Sequence, residues 1–152
     1  MRRLSGVLLA GAMLLLSALP TTAYAAQAEP QKFTLEGDVA LWSVSIRPDK
    51  TADYEQVLTK VKEALSMSQA PEAKQQLAGW KVVKATKPMP DGNIVYTHII
   101  TPVPGADYTI LQILYATFTD PAEQKELYEI YRGAFAGNLG ISSGTVAVDL
   151  SK

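Results

Sequence analysis

The sequence contains one histidine, His98, and histidine is the side chain best suited to proton transfer near neutral pH. It lies within an alternating stretch, where Ile94, Tyr96, His98 and Ile100 would share one face of a strand. On a face that lines a cavity, His98 could act as a general base or bind haem. The simpler interpretation, which we favour, is a packed and hydrogen-bonded histidine in the core.

Aromatic side chains provide the second candidate site. Trp42 and Tyr96 fall on predicted strands, and Trp80 begins a valine-rich stretch. Together with His98 they could line an apolar pocket with a few polar tips. The competing interpretation is that these rings fill the core and a dimer interface, which is the usual role of buried aromatics. The ligand-pocket candidates are therefore Trp42, Tyr96, His98 and Trp80.

Other chemical motifs are weak. Residues 140–144 (GISSG) match the G-x-S-x-G pattern of serine hydrolases, but that motif needs a strand before it and a helix after it. Here a helix is expected before it and a strand after it, so we expect a loop. One histidine and no cysteine are too few for a zinc site, and no calcium-binding or phosphate-binding loop is present. We expect no metal and no cofactor.

The spacing of apolar residues predicts the elements that position these side chains. The predicted strands cover 33–46 with a break at Gly37-Asp38, 80–86, 93–101 and 145–150. The predicted helical segments cover 51–65, a short turn that ends at Gly79, 110–118, and a helix that Asp120-Pro121 begins and Gly137-Asn138 ends. The two middle strands are expected to form an antiparallel hairpin around Asp91-Gly92.

This order of elements predicts an α+β fold. A β-α-β-β-α-β order gives the ferredoxin-like arrangement, a four-stranded antiparallel sheet with helices on one face. Such a sheet leaves its other face uncovered. Apolar side chains on that face predict a partner or a ligand.

The stretch Trp42–Leu58 (WSVSIRPDKTADYEQVL) resembles the opening of dimeric α+β-barrel proteins. These begin with an alternating strand, a basic-Pro-Asp/Gly-Lys turn, and a helix that starts near an aromatic residue. The group includes cofactor-free monooxygenases of antibiotic biosynthesis and haem-degrading enzymes, and its ferredoxin-like subunits pack sheet against sheet. The resemblance implies the fold and a homodimer, and it transfers no catalytic residue. The chain as a whole resembles small exported bacterial proteins of uncharacterised role.

Residues 1–25 have the composition of an export signal. Arg2 and Arg3 precede the apolar stretch Val7–Leu19, and Ala23-Tyr24-Ala25 has the small-x-small pattern that signal peptidase recognises. The apolar stretch is shorter than the roughly 20 residues of a spanning helix. We expect a signal peptide (1–25) cleaved after Ala25, a flexible lead-in (26–32) and one α+β domain (33–152). The mature protein would be periplasmic or secreted, without a membrane segment.

Composition narrows the function further. With 14 Lys and Arg against 15 Asp and Glu, the chain lacks the positive charge of a nucleic-acid binder. Without cysteine it has no disulfides, so its stability depends on packing or on an oligomer interface. The leading hypothesis is a non-catalytic ligand-binding or interaction module that forms a homodimer through its sheet, with an apolar small molecule as a second possible partner. The alternative is a cofactor-independent, monooxygenase-like enzyme that uses His98.

Overall fold

The structure, a computed structural model, describes residues 31–151. The predicted signal peptide lies outside the described residues, as does most of the predicted lead-in. The strands are β1 (Val39–Ile46), β2 (Trp80–Lys84), β3 (Ile94–Ile100) and β4 (Phe135–Gly144). The helices are α1 (Thr51–Met67), α2 (Ala73–Gly79), α3 (Ile110–Thr117) and α4 (Pro121–Ala134), with one 3-10 turn at Pro48–Lys50. None of the helices in this part of the chain has the length and apolar character needed to cross a membrane.

The four strands form one antiparallel sheet in the order β2-β3-β1-β4. The chain is therefore an α+β protein, as the sequence predicts, with β1 and β3 at the centre of the sheet. In their register Trp42 lies opposite His98, and Val44 lies opposite Tyr96. Residues directly opposite each other on antiparallel strands point to the same face, so these four side chains lie together.

The helices form where the sequence predicts amphipathic segments. In α1 the side chains Tyr54, Val57, Val61 and Leu65 recur at helical spacing and are buried. Helix α4 begins where Pro121 takes the first helical position and the Asp120 carboxylate accepts a hydrogen bond from the Ala122 amide. Helix α1 packs against α2, α3 and α4, so it lies at the centre of the helical layer.

The hairpin between β2 and β3 is confirmed. The Gly92 amide donates to the Met89 carbonyl, and the Met89 amide donates to the Asn93 carbonyl, which closes the turn. Gly92 has a φ of +85°, a conformation that glycine adopts without the steric cost of a side chain. The turn brings Trp80 on β2 within reach of His98 on β3.

The helices cover one face of the sheet. Side chains on that face of β1 and β3 are buried against α1 and its neighbours, among them Trp42, Val44, Ile46 and Tyr96. The opposite side chains of β1, β2 and β3 form what we call the open face. Its members are Val39, Leu41, Ser43, Ser45, Lys81, Val83, Val95, Thr97 and Ile99.

The last strand differs from the prediction. We expected Gly137-Asn138 to end the helix, residues 140–144 to form a loop and a strand to follow at 145–150. All three expectations are wrong: α4 ends at Ala134, β4 runs from Phe135 to Gly144, and residues 145–150 form no strand. Glycine has a low strand propensity, but here the hydrogen bonds to β1 outweigh it. Two register shifts interrupt this pairing, and such bulges suit a glycine-rich edge strand.

The segment before β1 is ordered without being a strand. The Phe33 amide donates to the Asp107 carboxylate, and the Phe33 carbonyl accepts from the Tyr108 amide. Leu35 is buried in a second core cluster with Tyr108 and Ile100. We expected extended structure from Phe33 onward. The strand instead begins at Val39, and the preceding residues pair with the loop before α3 of the same chain.

Candidate functional site

The structure brings the four candidate residues together around His98. The Trp42 ring stacks on the imidazole with the ring centroids 4.6 Å apart. The Trp80 ring also lies beside the imidazole, with the ring centroids 5.7 Å apart. Tyr96 is two residues before His98 on the same face of β3. The strand register explains this convergence, because His98 lies opposite Trp42 on β1 and opposite Val82 on β2. We call Trp42, Tyr54, Trp80, Tyr96 and His98 the aromatic cluster.

His98 uses both ring nitrogens in hydrogen bonds. The indole N–H of Trp80 donates to His98 Nδ1 at 2.9 Å, and the Tyr54 hydroxyl lies 2.8 Å from His98 Nε2. Indole can only donate, so Nδ1 must be the unprotonated nitrogen. The proton of a neutral imidazole is then on Nε2, which donates to the Tyr54 oxygen. This assignment leaves His98 with no free lone pair.

Burial keeps His98 neutral. Its side chain is fully buried, and desolvation lowers its pKa from 6.5 to about 4. The rings that surround it carry no opposite charge to offset this effect. Burial also raises the pKa of Tyr54 well above its ordinary value, so both partners are uncharged at neutral pH. An uncharged imidazole with both nitrogens occupied can hold its neighbours in place, but it is poorly suited to accept a proton from a substrate.

Tyr54 is a member of the cluster that the site prediction does not include. The sequence identifies it only as an apolar position of the first helix. Its ring packs edge-on against Tyr96 at 5.0 Å, and its hydroxyl reaches His98. The sequence signal that could have identified Tyr54 is its position in the first turn of α1, just after the 3-10 turn that follows β1. An aromatic residue there, on the buried face of the helix, can reach the adjacent strands.

Tyr96 connects the cluster to the surface. Its hydroxyl donates to Glu55 at 2.7 Å, and the same carboxylate accepts from Lys84 at 2.9 Å. The bond from Tyr96, followed by that from Lys84, lowers the pKa of Glu55. Burial, followed by the bond to Glu55, raises the pKa of Tyr96. The polar tip of Tyr96 therefore faces a surface ion pair, while its ring belongs to the core.

The cluster is filled by its own rings. Trp42, Tyr96 and His98 are at least nine-tenths buried, and they belong to the packed core. Trp80 is partly exposed and lines a cavity of about 60 Å³, well below the roughly 300–1,000 Å³ of small-molecule sites. Within residues 31–151 no three histidine, cysteine or acidic side chains are grouped so as to hold a metal ion. The geometry therefore favours a structural role for these residues.

Comparison with known proteins finds no family model, curated protein or solved structure that matches this chain.

Proposed function

We propose that this protein is an exported, non-catalytic interaction module that forms a homodimer through the open face of its sheet. The observation that carries the proposal is the exposure of three aliphatic side chains on that face. Leu41 is 43% exposed, Val83 is 50% exposed and Ile99 is 36% exposed. A solvated face of an antiparallel sheet ordinarily carries polar residues at these positions. Contiguous exposed apolar residues are typical of an interface.

A second copy of this chain is the occupant that the open face fits best. The open-face positions of the two central strands carry no charge, and the Ser43 and Thr97 hydroxyls bond to each other at 3.0 Å. In a two-fold dimer the same patch faces itself, so any charge there would meet its own copy. Because these positions of β1 and β3 are uncharged, the middle of the face avoids that repulsion. Lys81 lies at the β2 edge, where it can remain solvated.

The topology supports the same mode of assembly. The strand order β2-β3-β1-β4 fits the ferredoxin-like arrangement if α2 and α3 are additions to the β-α-β-β-α-β order. In the dimeric α+β barrels that Trp42–Leu58 resembles, two such sheets pack face to face. The open face would bury its aliphatic side chains in that way.

The arrangement of His98 is the reason to prefer a binding role over the monooxygenase-like alternative. A catalytic base needs a free lone pair and access to a substrate. His98 is fully buried, and Trp80 and Tyr54 occupy its two nitrogens. The open face, in contrast, is accessible and does not depend on His98.

The dimer is tested by the mass of the purified protein in solution, measured by light scattering after gel filtration. We expect twice the mass of one chain at micromolar concentration. Ile99→Glu should give a monomer, because dimerisation would then bury a charge at the centre of the interface. Lys81 lies directly opposite Ile99 on β2, so the new carboxylate can be accommodated in the monomer.

Val148→Glu is the matched control. Val148 is also an exposed aliphatic residue, at 73%, but it lies outside the sheet. This variant should remain a dimer, and circular dichroism should show native secondary structure for both variants. A wild-type protein that is monomeric, or an Ile99→Glu protein that stays dimeric, would contradict the proposal.

A further inference from the structure

A groove in the helical layer has the composition of a small-molecule site. It has a volume of about 420 Å³, within the usual range for ligand pockets. Its lining residues are Arg47, Leu111, Tyr128, Tyr131, Arg132 and Phe135. They come from the residue that follows β1, from α3, from the last two turns of α4 and from the start of β4. None of them belongs to the open face.

The floor of the groove is apolar and aromatic. The ring centroids of Tyr131 and Phe135 lie 5.8 Å apart, and Leu111 of α3 also lines this floor. The Tyr131 hydroxyl makes no hydrogen bond to any of residues 31–151. This floor can accept a flat apolar group.

The two arginines at the groove are the feature that selects a ligand. Arg47 and Arg132 are the only arginines among residues 31–151, and both line this groove. The five ion pairs between described residues all use lysines, so neither arginine has a carboxylate partner there. The neighbouring carboxylate of Glu129 pairs with Lys125.

Each guanidinium group makes one hydrogen bond to the protein and still has N–H donors available. Arg47 Nη1 donates to the Gly133 carbonyl at 3.1 Å, and Arg132 Nη1 donates to the Tyr128 hydroxyl at 2.7 Å. A guanidinium has five N–H donors, so each arginine retains most of them. Guanidinium groups without an anion favour planar oxyanions, which they bind through paired hydrogen bonds.

We propose that this groove binds a small organic carboxylate with an aromatic or apolar body. The body packs on Tyr131 and Phe135, and the carboxylate accepts hydrogen bonds from Arg132 and Arg47. This function is separate from dimerisation, because the groove and the open face lie on different sides of the sheet.

Phenylacetate is the probe for this site, and phenylacetamide is its uncharged counterpart of nearly the same shape. We expect calorimetry on the full-length protein to show saturable binding of phenylacetate. The amide should bind about tenfold more weakly, because it lacks the charge that the arginines recognise. Raised salt should weaken binding of the acid.

The informative variant is Arg132→Gln, because this exposed side chain contacts only the hydroxyl and ring of exposed Tyr128, so its loss should leave the fold intact. We expect about a tenfold loss of phenylacetate affinity. Lys74→Gln removes one positive charge from an exposed position of α2 that does not line the groove and makes no ion pair with the described residues, so this variant should bind like the wild type. The proposal is overturned if phenylacetate does not bind at millimolar concentration, if the amide binds equally well, or if Arg132→Gln has no effect.

Discussion

At the scale of single residues, the features of His98 follow from its neighbours. A histidine among aromatic rings has little solvation, so it stays neutral and needs a partner at each nitrogen. Trp80 provides a donor, and Tyr54 provides an oxygen. The hydrogen bonds join β2, β3 and α1, and the Trp42 ring adds a contact from β1. His98 therefore connects the sheet to the helix that covers it.

The shifted pKa of His98 predicts a loss of stability in mild acid. In the unfolded chain the imidazole takes up a proton near pH 6.5, whereas in the folded protein it does so only near pH 4. Between these values the unfolded state binds more protons, so the free energy of unfolding falls as the pH drops. The total loss from pH 7 to pH 4 is about 3 kcal/mol. Urea titrations at several pH values measure it.

Nuclear magnetic resonance checks the same shift directly. His98 is the only histidine, so its ring proton signals belong to one residue. We expect these signals to stay at their neutral positions from pH 8 to about pH 5. A folded-state titration with a midpoint near 6.5 would show that the ring is solvated, which would contradict the packed arrangement.

The sequence favoured a packed and hydrogen-bonded His98, and the structure shows one, but the sequence did not identify the elements that pack around it. Alternation on β3 placed Tyr96 and His98 on one face, and this is confirmed. Alternation of apolar residues does not show which face of the sheet the helices cover, because that depends on long-range packing. Tyr54 was missed for the same reason, because its contact with His98 joins residues 44 positions apart.

At the scale of elements, local signals predicted the boundaries well where side chains determine the structure. Helix α1 has apolar residues at regular spacing, and α4 begins at a capped Asp120-Pro121. Strand β4 has neither a regular apolar pattern nor a capping residue to mark it, since glycines interrupt it and most of its side chains are exposed. Its stability comes from backbone bonds to β1, and residue types carry little information about such bonds. The expected last strand at 145–150 was wrong for the same reason.

The junction between Gly37 and Gly144 gives a prediction for this part of the sheet. A Cβ on Gly37 would lie 2.6 Å from the Gly144 carbonyl oxygen, and that oxygen accepts a hydrogen bond from the Asp38 amide. Gly37→Ala should therefore cost about 2–4 kcal/mol through backbone strain and displacement of the end of β4. Urea unfolding followed by tryptophan fluorescence measures the loss.

Gly92→Ala separates the cost of a positive φ from the cost of the contact with Gly144. Gly92 has the same φ of +85° as Gly37, but a Cβ there meets nothing within 4 Å. This variant should lose only about 1 kcal/mol, the cost of a positive φ for alanine. Equal losses for the two variants would mean that the contact between residue 37 and Gly144 does not stabilise β4.

At the scale of the whole molecule, the sheet divides the proposed functions between two sides. On the helical side the aromatic cluster fills the core, and the groove beside Arg47 and Arg132 remains accessible. On the other side the exposed aliphatic residues are available to a second copy. A chain without cysteine gains no stability from disulfides in an oxidising compartment. Burial of the open face in a dimer would add stability in that setting.

Export is the prediction that concerns the whole chain. If residues 1–25 are a signal peptide, intact mass and N-terminal sequencing of the protein from the periplasm of a bacterial host should show a chain that begins at Ala26. Signal peptidase requires a small residue immediately before the cut, so Ala25→Glu should block processing and leave the precursor uncut. Ala28→Glu introduces the same charge beyond the site and should be processed normally. Protein that retains residues 1–25 in the wild type, or that stays in the cytoplasm, would contradict the assignment and would remove the oxidising setting in which a cysteine-free dimer gains its advantage.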